Sequence, residues 1–281
     1  MSSTTTWKCP TCRNIRRSAY CSRCGEQRLR SRDLTLRDLS GQFAKELSSV
    51  DGKLLRSLRS LLTTPGALSS AHVHGERRRF LGPLALFFIA NALFVALQSA
   101  TGMNILSSPL ASHLHNQDWR FLAQDLVAHR LEARHETVAS YAPIFDQAAI
   151  FNAKALMIVM ALALVPVIGA IFYRRHRATG AHVVFSLHLY AFVILLLCFS
   201  LVLAQAQHVA GGNGLQSPMV DTSLSVFNLA ACGIYIFLAI GPMYGAKGRS
   251  RIVQAVALSA AVGILFVGYR FGIFLITLYT T

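Results

Sequence analysis

Acidic side chains are scarce: twelve Asp and Glu stand against 27 Lys and Arg in 281 residues. Charged residues of either sign make up 14%, well below the roughly one quarter expected of a soluble globular protein. The HExxH, GxSxG, GxGxxG and P-loop patterns are all missing, and His135-Glu136 lacks the second His that a metalloprotease helix would need. These absences argue against a soluble domain and against the common motif-bearing enzymes, so no enzymatic activity is expected. Disordered and fibrous classes are excluded by what is abundant, namely 53% apolar residues with a net charge of +15 and a mean hydropathy of +0.46. A chain both greasy and basic fits a membrane protein with cationic cytoplasmic parts.

Of six cysteines, four crowd at the amino-terminal end: Cys9, Cys12, Cys21 and Cys24, spaced C-x2-C-x8-C-x2-C. Two such pairs bring four soft sulfurs to one point, which suits tetrahedral zinc. Each pair is expected to form a tight knuckle whose backbone N–H groups donate to sulfur, with Pro10 and Gly25 suited to the chain path. A disulfide framework needs an exporting signal and an oxidising compartment, and Met1–Trp7 shows no such signal. A c-type haem would need His after the CxxC, where Arg13 and Gly25 stand. With four protein ligands the zinc has no open position, so its expected role is structural. Lys8, Arg13, Arg16, Arg17, Arg23 and Arg28 surround the negatively charged cluster. Cys198 and Cys232 lie in apolar runs and read as packing residues.

From Asp33 to Leu62 the apolar residues Leu39, Phe43, Leu47, Val50, Leu54, Leu58 and Leu61 recur at helical spacing, with Lys45, Lys53, Arg56 and Arg59 off that stripe. This predicts a basic amphipathic helix, interrupted at Asp51-Gly52 and ended by Pro65-Gly66. It would lie on anionic lipid headgroups or pack on the cytoplasmic face of the membrane body. The expected organisation is a zinc ribbon over 1–30, a cytoplasmic basic helical segment over 33–79 and a transmembrane domain over 80–281.

Phe80–Met103 holds no charged residue and is long enough to span the hydrocarbon core. Further spans are expected at Ala155–Tyr173, Val183–Ala204, Leu224–Tyr244 and Ile252–Leu278, an all-α polytopic fold of about five helices. Residues 1–79 carry sixteen Lys and Arg against six acids, and the 102–153 loop carries three Arg against five acids. Arg174, Arg175 and Arg177 follow, then a stretch without cations from Gln205 to Ser223, then Lys247, Arg249 and Arg251. This alternation predicts a cytosolic amino terminus and an external carboxyl terminus. In the external loop, Trp119, Leu122, Leu126 and Ala133 suggest an interfacial helix. His113, His115, His129 and His135 there read chiefly as a solvated face; His113 and His115 would chelate a metal together only in an extended segment.

Polar residues inside spans carry more weight. Counting from the basic edges, Asn91 and His188 come out at roughly 16–18 Å, near mid-membrane, and Asn228 and Arg270 at about 28 Å, near the outer interface. A polar path for a proton or substrate through Asn91 and His188, gated near Arg270, competes with plain interhelical hydrogen bonding and outward snorkelling of Arg270.

The order of motifs is CxxC-x8-CxxCGE, then Val50-Asp51-Gly52-Lys53-Leu54-Leu55, then Thr64-Pro65-Gly66, then Gly75-Glu76-Arg77-Arg78 before an apolar span. With His182-Val183-Val184-Phe185-Ser186-Leu187-His188 and Tyr244-Gly245, it resembles a bacterial family of uncharacterised integral membrane proteins bearing an amino-terminal zinc ribbon. That family often has Glu before the first His and His two residues after the second, where this chain has Ala181 and Tyr190. The resemblance implies a bacterial inner-membrane location and a zinc ribbon, and no activity. The expected role is therefore interaction or regulation at the cytoplasmic membrane face, with anionic lipid and a cytosolic protein as partners; the alternative is a small-molecule or lipid transporter. Nucleic acid is a weaker candidate, because Trp7 and Tyr20 are the only aromatics of the ribbon and lipid phosphate is closer to hand.

Overall fold

Two-residue strands β1 (Trp7–Lys8) and β2 (Ile15–Arg16) pair antiparallel, Trp7 opposite Arg16. Apart from a lone β-bridge between Tyr20 and Gln27, the other elements among the described residues are helical: α1 (Lys53–Thr63), α2 (Ala67–Val73), α3 (Pro83–Thr101), α4 (Leu110–His115), α5 (Arg120–Arg134), α6 (Val138–Ala155), α7 (Met157–Ile171), α8 (Thr179–Val209), α9 (Pro218–Tyr244) and α10 (Gly248–Thr280). This computed structural model describes residues 6–28, 52–103, 105–175 and 177–281. The Leu39, Phe43, Leu47 and Val50 part of the predicted stripe lies outside them.

Helices α3, α8, α9 and α10 are each long and apolar enough to cross a bilayer, and α6 with α7 makes a fifth candidate bent by 51°. Leu156, at φ −92° and ψ 3°, leaves helical geometry at that bend. The all-α membrane-type fold expected from hydropathy is thus the fold observed. Residues 180–191 of α8 are buried on every side, the mark of a central helix. Around it pack α3, α7, α9 and the short α2, while α10 closes the bundle against α9, α7 and α6.

Prolines inside the helices leave carbonyls that need other donors. Pro242 cannot donate to Leu238, and Arg251 supplies both that carbonyl (3.2 Å) and the Phe237 carbonyl (2.8 Å). Gly241 makes room, since a Cβ there would stand 3.1 Å from the Arg251 guanidinium carbon.

Three expectations need correction. Residues 138–153 are not loop: they form most of α6, whose polar residues are masked by distant partners. Asp146 accepts the Leu110 N–H at 2.7 Å, and the Asn152 amide donates to Thr277 Oγ1 at 3.0 Å. The helix expected around Trp119, Leu122 and Leu126 is present as α5, but its buried face is Ala123, Val127 and Leu131, with Leu122 exposed. Finally, a boundary at 79/80 cuts through one folded unit. α1 is the basic amphipathic helix expected, starting directly after Gly52. Yet α2 buries Leu68, Ser69, His72 and Val73 inside the bundle, and Leu61 of α1 joins the same core. Gly66, at φ +79°, lies so close to α9 that a Cβ would meet the Ala239 carbonyl oxygen at 2.2 Å. The Thr64-Pro65-Gly66 turn is therefore a backbone-to-backbone contact point.

Candidate metal centre and its junction with the bundle

The four amino-terminal sulfurs lie within 4.8 Å of one another, with Cys9 and Cys24 Sγ 3.5 Å apart and Cys12 and Cys21 Sγ 3.4 Å apart. A tetrahedral ion with bonds of about 2.3 Å would set its sulfurs ~3.8 Å apart, so this set fits one metal ion after small adjustments. Cys9 and Cys21 are buried; Cys12 and Cys24 are partly covered.

Two equivalent turns build the cluster. In the first, the Cys9 N–H donates to the Asn14 carbonyl (2.8 Å) and the Arg13 N–H to the Cys9 carbonyl (2.8 Å). In the second, the Cys21 N–H donates to the Glu26 carbonyl (2.8 Å) and the Gly25 N–H to the Cys21 carbonyl (2.6 Å). The fifth residue of each turn is left-handed: Arg13 at φ 60° and Gly25 at φ 69°. Thr11 and Cys12 direct backbone N–H groups at the Cys9 sulfur, and Cys24 and Arg23 do so at Cys21. The Cys24 N–H does most to pull the Cys21 thiol down to about 6, whereas burial pushes Cys9 up. The N–H···S knuckles expected from the spacing are present.

What the spacing does not announce is how this module attaches. Glu26 is 2% exposed and accepts from Thr11 Oγ1 at 2.8 Å and from the Arg78 backbone N–H at 3.1 Å. The Arg78 guanidinium donates to the Cys24 carbonyl at 3.1 Å. Gly25 permits the approach, because a Cβ there would fall 2.1 Å from Arg78 Nη1. Gly25-Glu26 and the Gly75-Arg78 stretch, remote in sequence, thus meet at the start of α3. On the bundle side, buried Ser57 Oγ accepts the Leu81 N–H at 2.8 Å and donates to the Lys53 carbonyl at 2.8 Å, fixing α1 to the same stretch.

The four intramembrane residues singled out in the sequence are not brought together. The Asn91 amide donates to the Phe87 carbonyl of its own helix (2.9 Å). Asn228 accepts from Ser200 across α8 and α9 (2.9 Å). Arg270 donates to Ser108 in the segment before α4. His188 shares a hydrogen bond with Ser69 of α2 at 2.9 Å. Beside it lies His72, edge-on at 6.5 Å between ring centroids, which sequence reasoning placed at the cytoplasmic surface. The Nε2 atoms of both imidazoles are buried without a hydrogen-bond partner among the described residues. Burial first, then His188 and Arg77, hold His72 well below the ordinary imidazole range, so it is neutral.

The histidines of the 102–153 region form no metal cluster among the described residues. His113 and His115 sit on one helical turn, His113 buried and His115 exposed. His113 Nδ1 accepts from Trp119 Nε1 at 3.2 Å, and the ring also bonds to the Ser108 backbone. It is a satisfied core residue.

Against known families, residues 51–95 match the one described as "Protein of unknown function (DUF3667)". No curated protein and no solved structure matches. The matched stretch is α1, α2 and the first two thirds of α3, the part that carries Ser57, Gly66, Ser69, His72 and Arg78, rather than the cysteine module.

Proposed function

We propose that the protein is a membrane-anchored zinc-ribbon protein, not an enzyme, acting as an interaction or regulatory component at the cytoplasmic face of a bacterial inner membrane. Zinc is the metal best suited to four thiolates in a closed site, and it would serve a structural role. Cys9, Cys12, Cys21 and Cys24 would hold it and leave no position for substrate. The alternation of basic loops supports a cytosolic amino terminus and an external carboxyl terminus.

The observation that carries this reading is the buried Glu26 carboxylate, bonded at once inside the ribbon and to the backbone leading into α3. A module merely tethered to a membrane needs no such contact. One whose occupancy is sensed by the helices does. In the full-length protein, Glu26→Ala leaves the Arg78 N–H without its acceptor and weakens docking by ~2 kcal/mol, about thirtyfold, while zinc content measured by mass spectrometry stays at one per chain. Amide exchange over 74–82 rises accordingly. Unchanged exchange there would remove the basis for communication, and zinc-free wild-type protein would remove the basis for the ribbon. Proximity labelling from the amino terminus identifies the cytosolic partner; labelling that is identical in Cys9→Ser and wild-type cells would defeat the interaction reading.

The transporter alternative draws support from one feature, the buried His72 and His188 pair with its two unpartnered nitrogens. Substrate flux in liposomes that is abolished by His188→Ala would favour it over the anchor.

A further inference from the structure

Pro166 and Gly169 stand one turn apart on α7, and neither projects a long side chain. With Val165 and, just past the helix end, Phe172, they wall a recess of about 380 Å³. Its other side is the start of α8: Thr179 and His182, with Arg177 at the rim. The recess is apolar within and cationic at its mouth.

Three independent features point to an anion. The 31-residue helix α8 follows Ala178 without a side-chain cap; only the Ala181 N–H is taken, by the Ala178 carbonyl at 2.8 Å, which leaves the Thr179 and Gly180 N–H groups and the positive end of the dipole for a ligand. No Asp or Glu occurs between Asp146 and Asp221, while Arg174, Arg175 and Arg177 crowd this one loop. Lastly, His182 is 6% exposed, and its Nδ1 bonds to the Tyr244 hydroxyl at 3.0 Å. Its other nitrogen has no hydrogen-bond partner among the described residues. That edge of the ring faces the recess, since a Cβ on Gly169 would lie 4.0 Å from His182 Cδ2.

We propose that this recess is a binding site for the phosphate of an anionic phospholipid. Arg177, Thr179 and the α8 amino-terminal N–H groups take the phosphate oxygens, His182 donates to the ester or glycerol oxygens, and the first methylenes lie along Val165, Pro166, Gly169 and Phe172. An apolar wall beneath a cationic rim at a membrane edge matches a lipid headgroup and its upper chain, whereas a free phosphate would make no use of the wall. The site is separate from the cysteine module and rests only on the transmembrane reading of the bundle.

The test uses full-length, delipidated protein in mild detergent and native mass spectrometry with dioleoylphosphatidylglycerol, dioleoylphosphatidylcholine or inorganic phosphate. One phosphatidylglycerol is retained per chain in preference to phosphatidylcholine. Arg177→Gln lowers its apparent affinity about tenfold, the usual size for losing one charge-assisted hydrogen bond. Gly169→Leu, which fills the recess and leaves every charge in place, does the same. Thermal unfolding of both variants in the same detergent verifies folding. Equal retention of the two lipids, unaltered affinity in both folded variants, or displacement of the lipid by millimolar inorganic phosphate each overturns the assignment.

Discussion

His113 offers a test of the packing that needs no ligand. It is 2% exposed, with ring centroids 4.8 Å from Phe274 and 5.9 Å from Phe145. Burial, then the nearby Arg270 charge, lower it from 6.5 to about 4, against a small opposing effect from the Ser108 backbone bond. Because Trp119 donates to Nδ1, protonating that nitrogen turns an acceptor into a donor and breaks the bond. The folded protein keeps this imidazole neutral down to about pH 4, while the unfolded chain takes up a proton below about 6.5. The contribution to stability is therefore complete above pH 6.5 and is lost progressively as the pH falls toward 4. At about 1.36 kcal/mol per unit, the full shift is worth at most ~3 kcal/mol. Of the two tryptophans, Trp7 can be replaced by Phe, leaving Trp119 as sole reporter. Its emission in detergent-solubilised protein should change with a midpoint near pH 4, and His113→Phe should abolish the step. A midpoint at 6 or above would refute the buried, doubly bonded histidine.

Three further outcomes follow from the geometry. Gly66→Ala should cost more than 3 kcal/mol or so and separate α2 from α9, because left-handed geometry is added to a collision with backbone; trypsin cleavage at Arg56 or Arg59 would report the release, and unchanged resistance would contradict the close contact. Ser57→Ala should lower the thermal midpoint by the equivalent of about 1–3 kcal/mol, since the Leu81 N–H loses its acceptor in a buried place. Arg13→Gly should leave zinc content unchanged and stabilise the ribbon by about 1 kcal/mol through relief of its left-handed residue, as measured by chelator competition; weaker metal retention would deny that the two turns are equivalent.

Much of this architecture is legible in the residues, for identifiable reasons. The C-x2-C spacing acts within a few residues, so the sulfur cluster and its knuckles follow locally. The spans are long apolar runs whose partner is solvent-like lipid, and hydropathy finds them. By contrast, Ala67–Val73 falls within the 33–79 stretch expected to be a cytoplasmic segment, and nothing local announces its burial; the bond from Ser69 to His188, more than a hundred residues on, holds it inside. The same holds for α6, where Asp146 and Asn152 suggest loop until Leu110 and Thr277 supply their partners. Depth arithmetic put Asn91 and His188 at one level, but level is not azimuth: Asn91 turns back onto Phe87, while His188 faces α2. The contact between Glu26 and Arg78 joins two segments that no periodicity links.

The paired knuckles are alike in backbone yet unlike at one residue, and that difference gives the ribbon a handedness of use. Where the second turn carries a bare glycine, an arginine from the bundle can slide in; where the first carries Arg13, exposed and bulky, the equivalent berth is closed. The domain is thus a plug with a single keyed orientation, seated through its second knuckle.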